Sequence, residues 1–490
     1  MKKASSALLP VIATDRQGTL PLHKQIYDAF RGHITQGNLR PGQQMPSTRA
    51  LALELSLSRI PVLTAYSQLL AEGYCETRSG AGTFVCRLLP QENRGRREAT
   101  RIKSAVSTRR SVARRAHFLP PYKPQPWLGG SGAFCLGQPA YDEFPFPVWA
   151  RLVARHARCE RACTLHYGGP LGHEGLRHAI CTYLRTSRAV NCEPRQIMIV
   201  SGSQQALELT TRILLDAGDP AWMEEPGYWL TKQVLVAAGC RPVPVPVDNE
   251  GLNVNEGRKR CGKVRAAYIT PSHQFPLGVT MSASRRFQLL DWAERAGSWI
   301  VEDDYDSEYR FDTMPIASLQ GLDPNARVIY VGTFSKTLFP GLRLGYVVIP
   351  EDLVERFAAT RNAMDLGSPY LYQAVLADFI SEGHFARHIR RMRQLYNERR
   401  LALVESLQNE FGKEIEILGT QAGMHLAVTF PRKFRDTEIA LRAAQEKLWI
   451  VPLSTSYSDR PAKQGFILGF GGTPVKEMAT AVGHLKRLLS

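Results

Sequence analysis

The chain has 490 residues, 44% of them hydrophobic, which is more than one ordinary core organises, so two or more domains are expected. Its formal net charge of +17 is uneven: residues 1–130 carry 20 lysines and arginines against 7 acidic residues, roughly +13, and the remainder only about +4. That asymmetry predicts a polyanionic partner for the N-terminal part, with a solubility bias as the plain alternative. No run of about 18 apolar residues occurs, so no membrane span is predicted, and the opening MKKASSALLPVIATDRQ has too short and broken an apolar part for a signal peptide. Nine cysteines lack any CxxC pair and none follows Cys261, so reduced thiols and a cytoplasmic location are expected. No internal repeat is visible.

In PLHKQIYDAFRGHITQG, Leu22, Ile26, Phe30 and Ile34 recur at helical spacing and Gly37 can close the helix. LRPGQQMP is a turn-rich connector. Ser47 or Thr48 can cap a second helix, STRALALEL, and a break follows at Ser56 and Leu57. Ser58 can cap a third helix, RIPVLTAYSQLLAEG, with Pro61 in its first turn, where proline is tolerated. YCETRSGAGTFVC then reads as a hairpin turning at Ser79, Gly80, Ala81 and Gly82. Helix, helix, short turn, helix and hairpin make a winged helix-turn-helix over residues 15–87.

This segment resembles the winged-helix domains of the GntR superfamily, through LRPGQQMPSTRALALELSLSR, LLAEGY and RSGAGTFV. The resemblance implies a recognition helix in the major groove of double-stranded DNA and a wing on the neighbouring backbone. It sets Arg49 and Arg59 against DNA, Ser47, Thr48, Ser58 and Thr64 near phosphates or base edges, and Arg78 and Gly80 on the wing. Taken singly, each arginine could equally be part of a solvated helix face. Residues 88–130, rich in arginine and then in proline, read as a basic tether, flexible first and stiffer near Pro120 to Pro126. The basic run either adds salt-sensitive attraction to DNA or merely keeps the tether solvated.

From 131 to 490, strands and helices alternate, which predicts an α/β domain with a mostly parallel sheet covered by helices. IMIVSGSQQALELTTRILLDAGD is a strand that ends at Ser201, Gly202, Ser203 and Gln204, where a helix begins and offers free N–H groups to a phosphate. In AWMEEPGYWL a strand ends and Tyr228 follows a Pro-Gly turn, able to stack on a flat ring or simply to pack in the core. AAYITPSHQFPLGVTMS leads into a polar turn with His273 and Gln274. SWIVEDDYDSEYR ends in Glu302, Asp303, Asp304 and Tyr305, carboxylates at the end of a strand where open α/β sheets bind ligands. Such carboxylates could hold a metal, but no matching ligand cluster accompanies them, so none is expected. The central stretch is VIYVGTFSKTLFPGLRLGYVVI, Val328 to Ile349. Lys336 lies between two buried strands, among Thr333, Ser335 and Thr337, with Arg343 seven positions on. A buried lysine is a nucleophile, and hydroxyls with an arginine suit a phosphate dianion. Together they point to a Schiff base with pyridoxal 5′-phosphate, against the plain reading of a solvated lysine in a turn.

These stretches resemble the fold-type-I, aminotransferase-like pyridoxal phosphate proteins. With the winged helix in front, the chain from about residue 15 to its end is similar to the MocR/GabR-type transcriptional regulators. The resemblance implies that Lys336 forms the Schiff base, Asp303 pairs with the pyridine nitrogen, Tyr305 bonds the ring oxygen and Tyr228 stacks on the ring. Ser203, Gln204, Ser335 and Arg343, with Thr333, would hold the phosphate. Where aminotransferases have an Asn-Pro-Thr-Gly turn, SHQFPLG offers His273 or Gln274 to the ring oxygen. A homodimer is implied, each DNA-binding domain lying against the partner's large domain.

Aminotransferases of this class usually carry a C-terminal arginine that grips the substrate carboxylate bidentately. Here QGFILGFGG places Ile467 at that position, which removes the main orienting contact for an amino acid. The expectation is a DNA-binding regulator with pyridoxal phosphate as ligand or co-effector, sensing an amine, an amino acid or the cofactor itself, with little or no transaminase turnover. Its pathway could be vitamin B6 synthesis or amine metabolism. The alternatives are an aminotransferase with an accessory DNA-binding domain, and a large domain that only dimerises.

Overall fold

The structure, a computed structural model, describes residues 12–87, 112–158, 168–311, 316–431 and 434–490. Its contacts divide the chain between Arg110 and Ser111 into two units. Of the stretch read as a tether, 88–111 lies outside the described residues, and 112–130 carries two short helical turns, Arg114–His117 and Pro126–Leu128. Among the described residues no helix is long and apolar enough to cross a membrane.

In the first unit, helical spacing buries Ile26, Phe30 and Ile34 along α1 (Leu22–Thr35), and Gly37 turns the chain away at φ +78°. In α2 (Thr48–Glu54), Ser47 is the cap, its hydroxyl accepting the Ala50 N–H at 3.1 Å. Ser58 also stands at the cap of α3 (Arg59–Ala71), but its hydroxyl takes no helix N–H, contrary to the expected cap. Pro61 at the third helical position has no N–H to give, which leaves only that of Ile60 for a cap to reach. β1 (Cys75–Arg78) and β2 (Gly82–Val85) pair antiparallel around Gly80, which adopts φ +71° in open space. Phe30 meets Tyr66 edge-on at 5.6 Å over a core that includes Ile26, Val62 and Leu69, so three helices and the hairpin share one small interior.

The second unit is built on an eight-stranded sheet. Its strands are β3 (Ile197–Val200), β4 (Pro220–Glu225), β5 (Arg241–Asp248), β6 (Gly251–Leu252), β7 (Ala266–Ile269), β8 (Trp299–Asp304), β9 (Val328–Thr333) and β10 (Gly345–Val348), in the order β3-β10-β9-β8-β7-β4-β5-β6. β9, β8, β7, β4 and β5 are mutually parallel, and β10 runs against both of its neighbours. Strands covered on both faces read as continuous apolar runs, and residues two apart share a face. Val301 and Ile329 accordingly pack under α4 (Ser203–Leu214), while Ile300 packs with Trp222 and with Leu289 and Trp292 of α5 (Ala283–Ala296). The indoles of Trp222 and Trp292 stack at 3.9 Å. Because β3 lies antiparallel to β10 and β10 to β9, the carboxyl ends of β3, β4, β7, β8 and β9 reach one edge of the sheet.

A second, antiparallel sheet orders β11 (Glu416–Leu418), β12 (His425–Thr429), β13 (Val451–Pro452) and β14 (Gly465–Gly469) as β11-β12-β14-β13. Phe466 and Leu468 face the core formed with α6 (His384–Phe411) and α7 (Val475–Leu489), so Ile467 faces the other way.

Truncating Phe30→Ala removes the ring at the centre of the small unit and should cost about 3–5 kcal/mol there. Calorimetry of the full chain is expected to show the transition of the small unit lowered and that of the large unit unmoved. A shift of both would mean that the two units do not melt separately.

Candidate functional site

Each of the five strands that end at one edge of the large sheet delivers a side chain there. β9 leads to Ser335 and Lys336, β8 ends next to Tyr305 and contains Asp303, and β7 leads to His273 and Gln274. β4 leads to Tyr228, and β3 to Ser203 and Gln204 at the start of α4. The site is therefore a product of strand direction, with the chemistry carried by the residues just past each strand.

The Lys336 amine donates to the Gly137 carbonyl at 3.3 Å. A Cβ on Gly137 would stand 2.1 Å from that nitrogen, so only glycine lets the backbone lie there. Burial lowers the lysine's pKa, opposed in part by the Asp306 and Asp303 carboxylates, which makes the free amine more available. Asp303 is buried, and its Oδ1 has no hydrogen-bond partner. Burial, and then the negative neighbours Asp304, Glu224 and Asp306, push its pKa up to about 7. A cavity runs past it, lined by Tyr228, Thr270, Glu224 and Val301 among others. Glu224 is likewise raised to about 7 by burial, although the Thr270 hydroxyl and backbone N–H both donate to it.

His273 and Gln274 differ in what they leave free. The Gln274 amide is consumed within its own turn: it donates to the Pro226 carbonyl at 2.9 Å and accepts the Leu277 N–H at 3.1 Å. The Nδ1 of His273 lies 3.0 and 3.1 Å from the two oxygens of Asp306, while its Nε2 is buried without a partner. With Asp306 as a carboxylate, Nδ1 carries the hydrogen. The Tyr305 oxygen, 3.0 Å from the same Nδ1, then accepts and keeps its own proton to donate elsewhere. His425 stacks obliquely near His273 at 4.9 Å, and burial followed by that neighbour holds it well below the ordinary imidazole range. His273, Asp306 and His425 are the one cluster among the described residues with three possible metal-ligating groups.

The residues expected to hold a phosphate stand as follows. Register places Thr333, Gly345 and Val200 side by side, bringing Ser335 and the start of α4 to either flank of Gly345. The Thr333 hydroxyl donates to Ser335 Oγ at 3.1 Å and accepts the Ser335 N–H at 3.2 Å, fixing that serine. Gln204 has a buried oxygen without a partner. Arg343, held at φ +52°, donates to the Ser201 carbonyl at 2.8 Å and lies over Gly202, whose added Cβ would come within 3.5 Å of it. A helix N-terminus, two serines and a guanidinium are donors of the kind a dianionic phosphate takes. Tyr228 lines the same cavity as Asp303, its ring 5.6 Å from Phe275. An orphaned carboxylate, a lysine of lowered pKa, a tyrosine wall and donors of this kind together fit a phosphorylated pyridine aldehyde.

In the small unit, Arg49, Ser58, Arg59 and Thr64 are exposed. Arg59 Nε donates to the Thr48 hydroxyl at 3.1 Å, which ties the start of α3 to the start of α2. The Thr64 hydroxyl donates back to the Ile60 carbonyl, and the Ser47 hydroxyl serves its cap. Arg78 pairs with Glu76 at 2.6 Å and lies over the Phe84 ring at 4.4 Å, so the wing arginine is braced within its hairpin.

The sequence alone does not point to Gly137, Glu224, Asp306 or His425. Asp306 was within reach as the fourth acid of EDDYD, but Gly137 lies 199 residues from the lysine it touches and left no local signal.

Residues 22–85 match the model of the bacterial regulatory proteins of the gntR family, and residues 133–467 that of the class I and II aminotransferases. The chain is 41% identical to the probable rhizopine catabolism regulatory protein MocR of Rhizobium meliloti, over 97% of this chain and 95% of that one. It is 30% identical to the HTH-type pyridoxine biosynthesis transcriptional regulator PdxR of Corynebacterium glutamicum, over 94% of each. Among solved structures it resembles the multiple substrate aminotransferase of Thermococcus profundus, with a TM-score of 0.71 at 28% identity over 77% of this chain and 96% of that one. A gntR-type DNA-binding unit continuous with an aminotransferase fold, matched end to end by named regulators, is the pattern of one family: the chain belongs to the MocR-type transcriptional regulators.

Proposed function

We propose that this DNA-binding regulator holds pyridoxal 5′-phosphate on Lys336 and uses it to sense a small amine, an amino acid or the cofactor itself. The observation that carries the reading is the Asp303 carboxylate, buried and unpartnered at the end of β8, in one cleft with a lysine of lowered pKa. Bound there, the cofactor would supply an aldehyde that primary amines capture and a ring that absorbs visible light. Lys336 is the amine that holds it. Asp303 keeps the proton at the pyridine nitrogen, and Tyr305 donates its free hydrogen to the ring oxygen, with His273 held behind it by Asp306. Tyr228 packs on the ring. Ser203, Gln204, Ser335 and Arg343 hold the phosphate, and Thr333 orients Ser335. Arg49 and Arg59, with Ser47, Thr48, Ser58 and Thr64, meet the DNA, and Arg78 and Gly80 sit on the wing that flanks it.

The stretch 88–130 serves as a basic tether between a DNA-binding domain over 15–87 and a sensing domain over 131–490. The sensing domain also forms the homodimer, and the protein acts in the cytoplasm, where its operator is. Ligand binding shifts the dimer between states of different DNA affinity. Ile467, in place of an arginine, supports sensing with little turnover.

The purified protein incubated with pyridoxal phosphate is expected to show a visible absorption band that Lys336→Ala abolishes. A wild-type protein without such a band would refute the cofactor reading. Arg59→Ala should weaken operator binding and flatten its salt dependence by about one counterion, as gel-shift titrations at several salt concentrations would report. Asp303 predicts a pH effect of defined sign. Its carboxyl titrates at about 7 in the fold against 3.8 as its ordinary value. The protonated form therefore adds stability that is complete below pH 4 and lost as pH rises through 7. Asp303→Asn should thus raise the stability of the cofactor-free protein at pH 8 by up to about 4 kcal/mol, with the gain vanishing near pH 4. With cofactor bound, the ranking should invert, because the pyridinium then rewards the charge. Thermal melts across pH, with and without cofactor, test both halves.

A further inference from the structure

Resting on the cofactor reading above, we infer that the effector admitted by this site is a primary amine without a carboxylate, its uncharged body packed on the wall around Ile467. Strand alternation makes that wall. β14 sends Phe466 and Leu468 into the core and turns Ile467 outward, opposite Ala427 on β12 and Val451 on β13. His425 shares that face two positions along β12, and its ring is 5.5 Å from Phe275, at the edge of the cleft. Ile467 joins Phe275, Val451 and Leu453 in one buried apolar cluster, with Trp127 and Tyr457 packed on it. Tyr228 and Tyr305 belong to this cluster as well as to the cleft, and Leu136, also in it, precedes the glycine whose carbonyl takes the Lys336 amine. The wall thus begins where the lysine's reach ends.

A carboxylate has no host there. Arg343 is assigned above to the phosphate, and Arg310, Arg188 and Arg399 already donate to the Ser272 carbonyl, to Asp304 and to the Gly471 carbonyl. Stripping water from a carboxylate against isoleucine, valine and aromatic rings costs affinity that no bidentate partner returns. The rim adds repulsion. Glu225, at the end of β4, accepts the backbone N–H groups of Ser458 at 2.8 Å and Asp459 at 3.0 Å, fixing a negative charge beside Tyr457. That charge attracts an arriving ammonium and turns away an anion. The exchange is balanced: the effector nitrogen forms its C=N bond to the aldehyde carbon as the Lys336 C=N bond breaks. The two hydrogens of the effector amine pass to Lys336, and no oxidant is needed.

The test compares pairs that differ only by the carboxylate, 2-phenylethylamine with L-phenylalanine and 3-methylbutylamine with L-leucine. Each is titrated into cofactor-loaded protein, with half-saturation read from visible absorption and from calorimetry. In each pair the amine is expected to bind at least about tenfold more tightly, and Ile467→Arg should narrow or reverse the preference. An amino acid that binds wild-type protein as tightly as its amine, or no response to either amine at millimolar concentration, overturns the inference. Should Ile467→Arg fail to fold, the wild-type pairs alone decide. Absence of any visible band on loading sinks the cofactor reading and this inference with it; a band with amino acids preferred sinks the inference alone.

Discussion

Asp303 stands at the end of a parallel strand with both faces covered, one of its oxygens bonded to nothing, within the field of Asp304, Glu224 and Asp306. A carboxylate so placed is costly to ionise, and the surrounding fold does not relieve it: no described side chain donates to Oδ1. The rest of the large unit follows from keeping that group where it is. The parallel strands bring it beside Lys336, and the same burial that raises the acid lowers the lysine. Burial thus disfavours the charged form of both groups. Titratable groups shifted in this way mark a candidate functional site.

Second-layer contacts decide which atoms remain available. The Nδ1 of His273 lies against both Asp306 and the Tyr305 hydroxyl, which holds the ring from two sides. Thr333 does for Ser335 what Asp306 does for His273, fixing the side chain that precedes the lysine. Gln274 is spent on its own turn, and of the two polar residues that SHQFPLG offers only His273 retains a buried atom without a partner.

Much of this was legible in the sequence because strand ends are. Each of the five stretches read as strand followed by polar turn is one in the structure, and the apolar runs of VIYVG and LGYVVI are buried throughout. The winged helix was readable from its caps and glycines, down to the left-handed turn at Gly80. Ser58 stands at the expected cap position, yet its hydroxyl accepts no helix N–H, and Pro61 at the third helical position has none to offer. Gly137 could not be read at all. Its role is to be absent, leaving 2.1 Å where a methyl group would collide with the lysine nitrogen, and nothing within its own neighbourhood in the chain records that contact.

Ile467 lies between these extremes. In the sequence it is only a departure from an expected arginine, and a missing group has no chemistry of its own. The antiparallel register supplies the meaning: Ala427, Ile467 and Val451 lie abreast on one face of the second sheet, and Phe275 meets them from the turn after β7. An arginine lost from a polar pocket would leave a hole for water. Here Ile467 lies among aliphatic neighbours, with Trp127 and Tyr457 packed against the same cluster, so the surface is apolar as a whole. On the proposed reading, a site that captures an amine beside an apolar surface is specialised in its ligand.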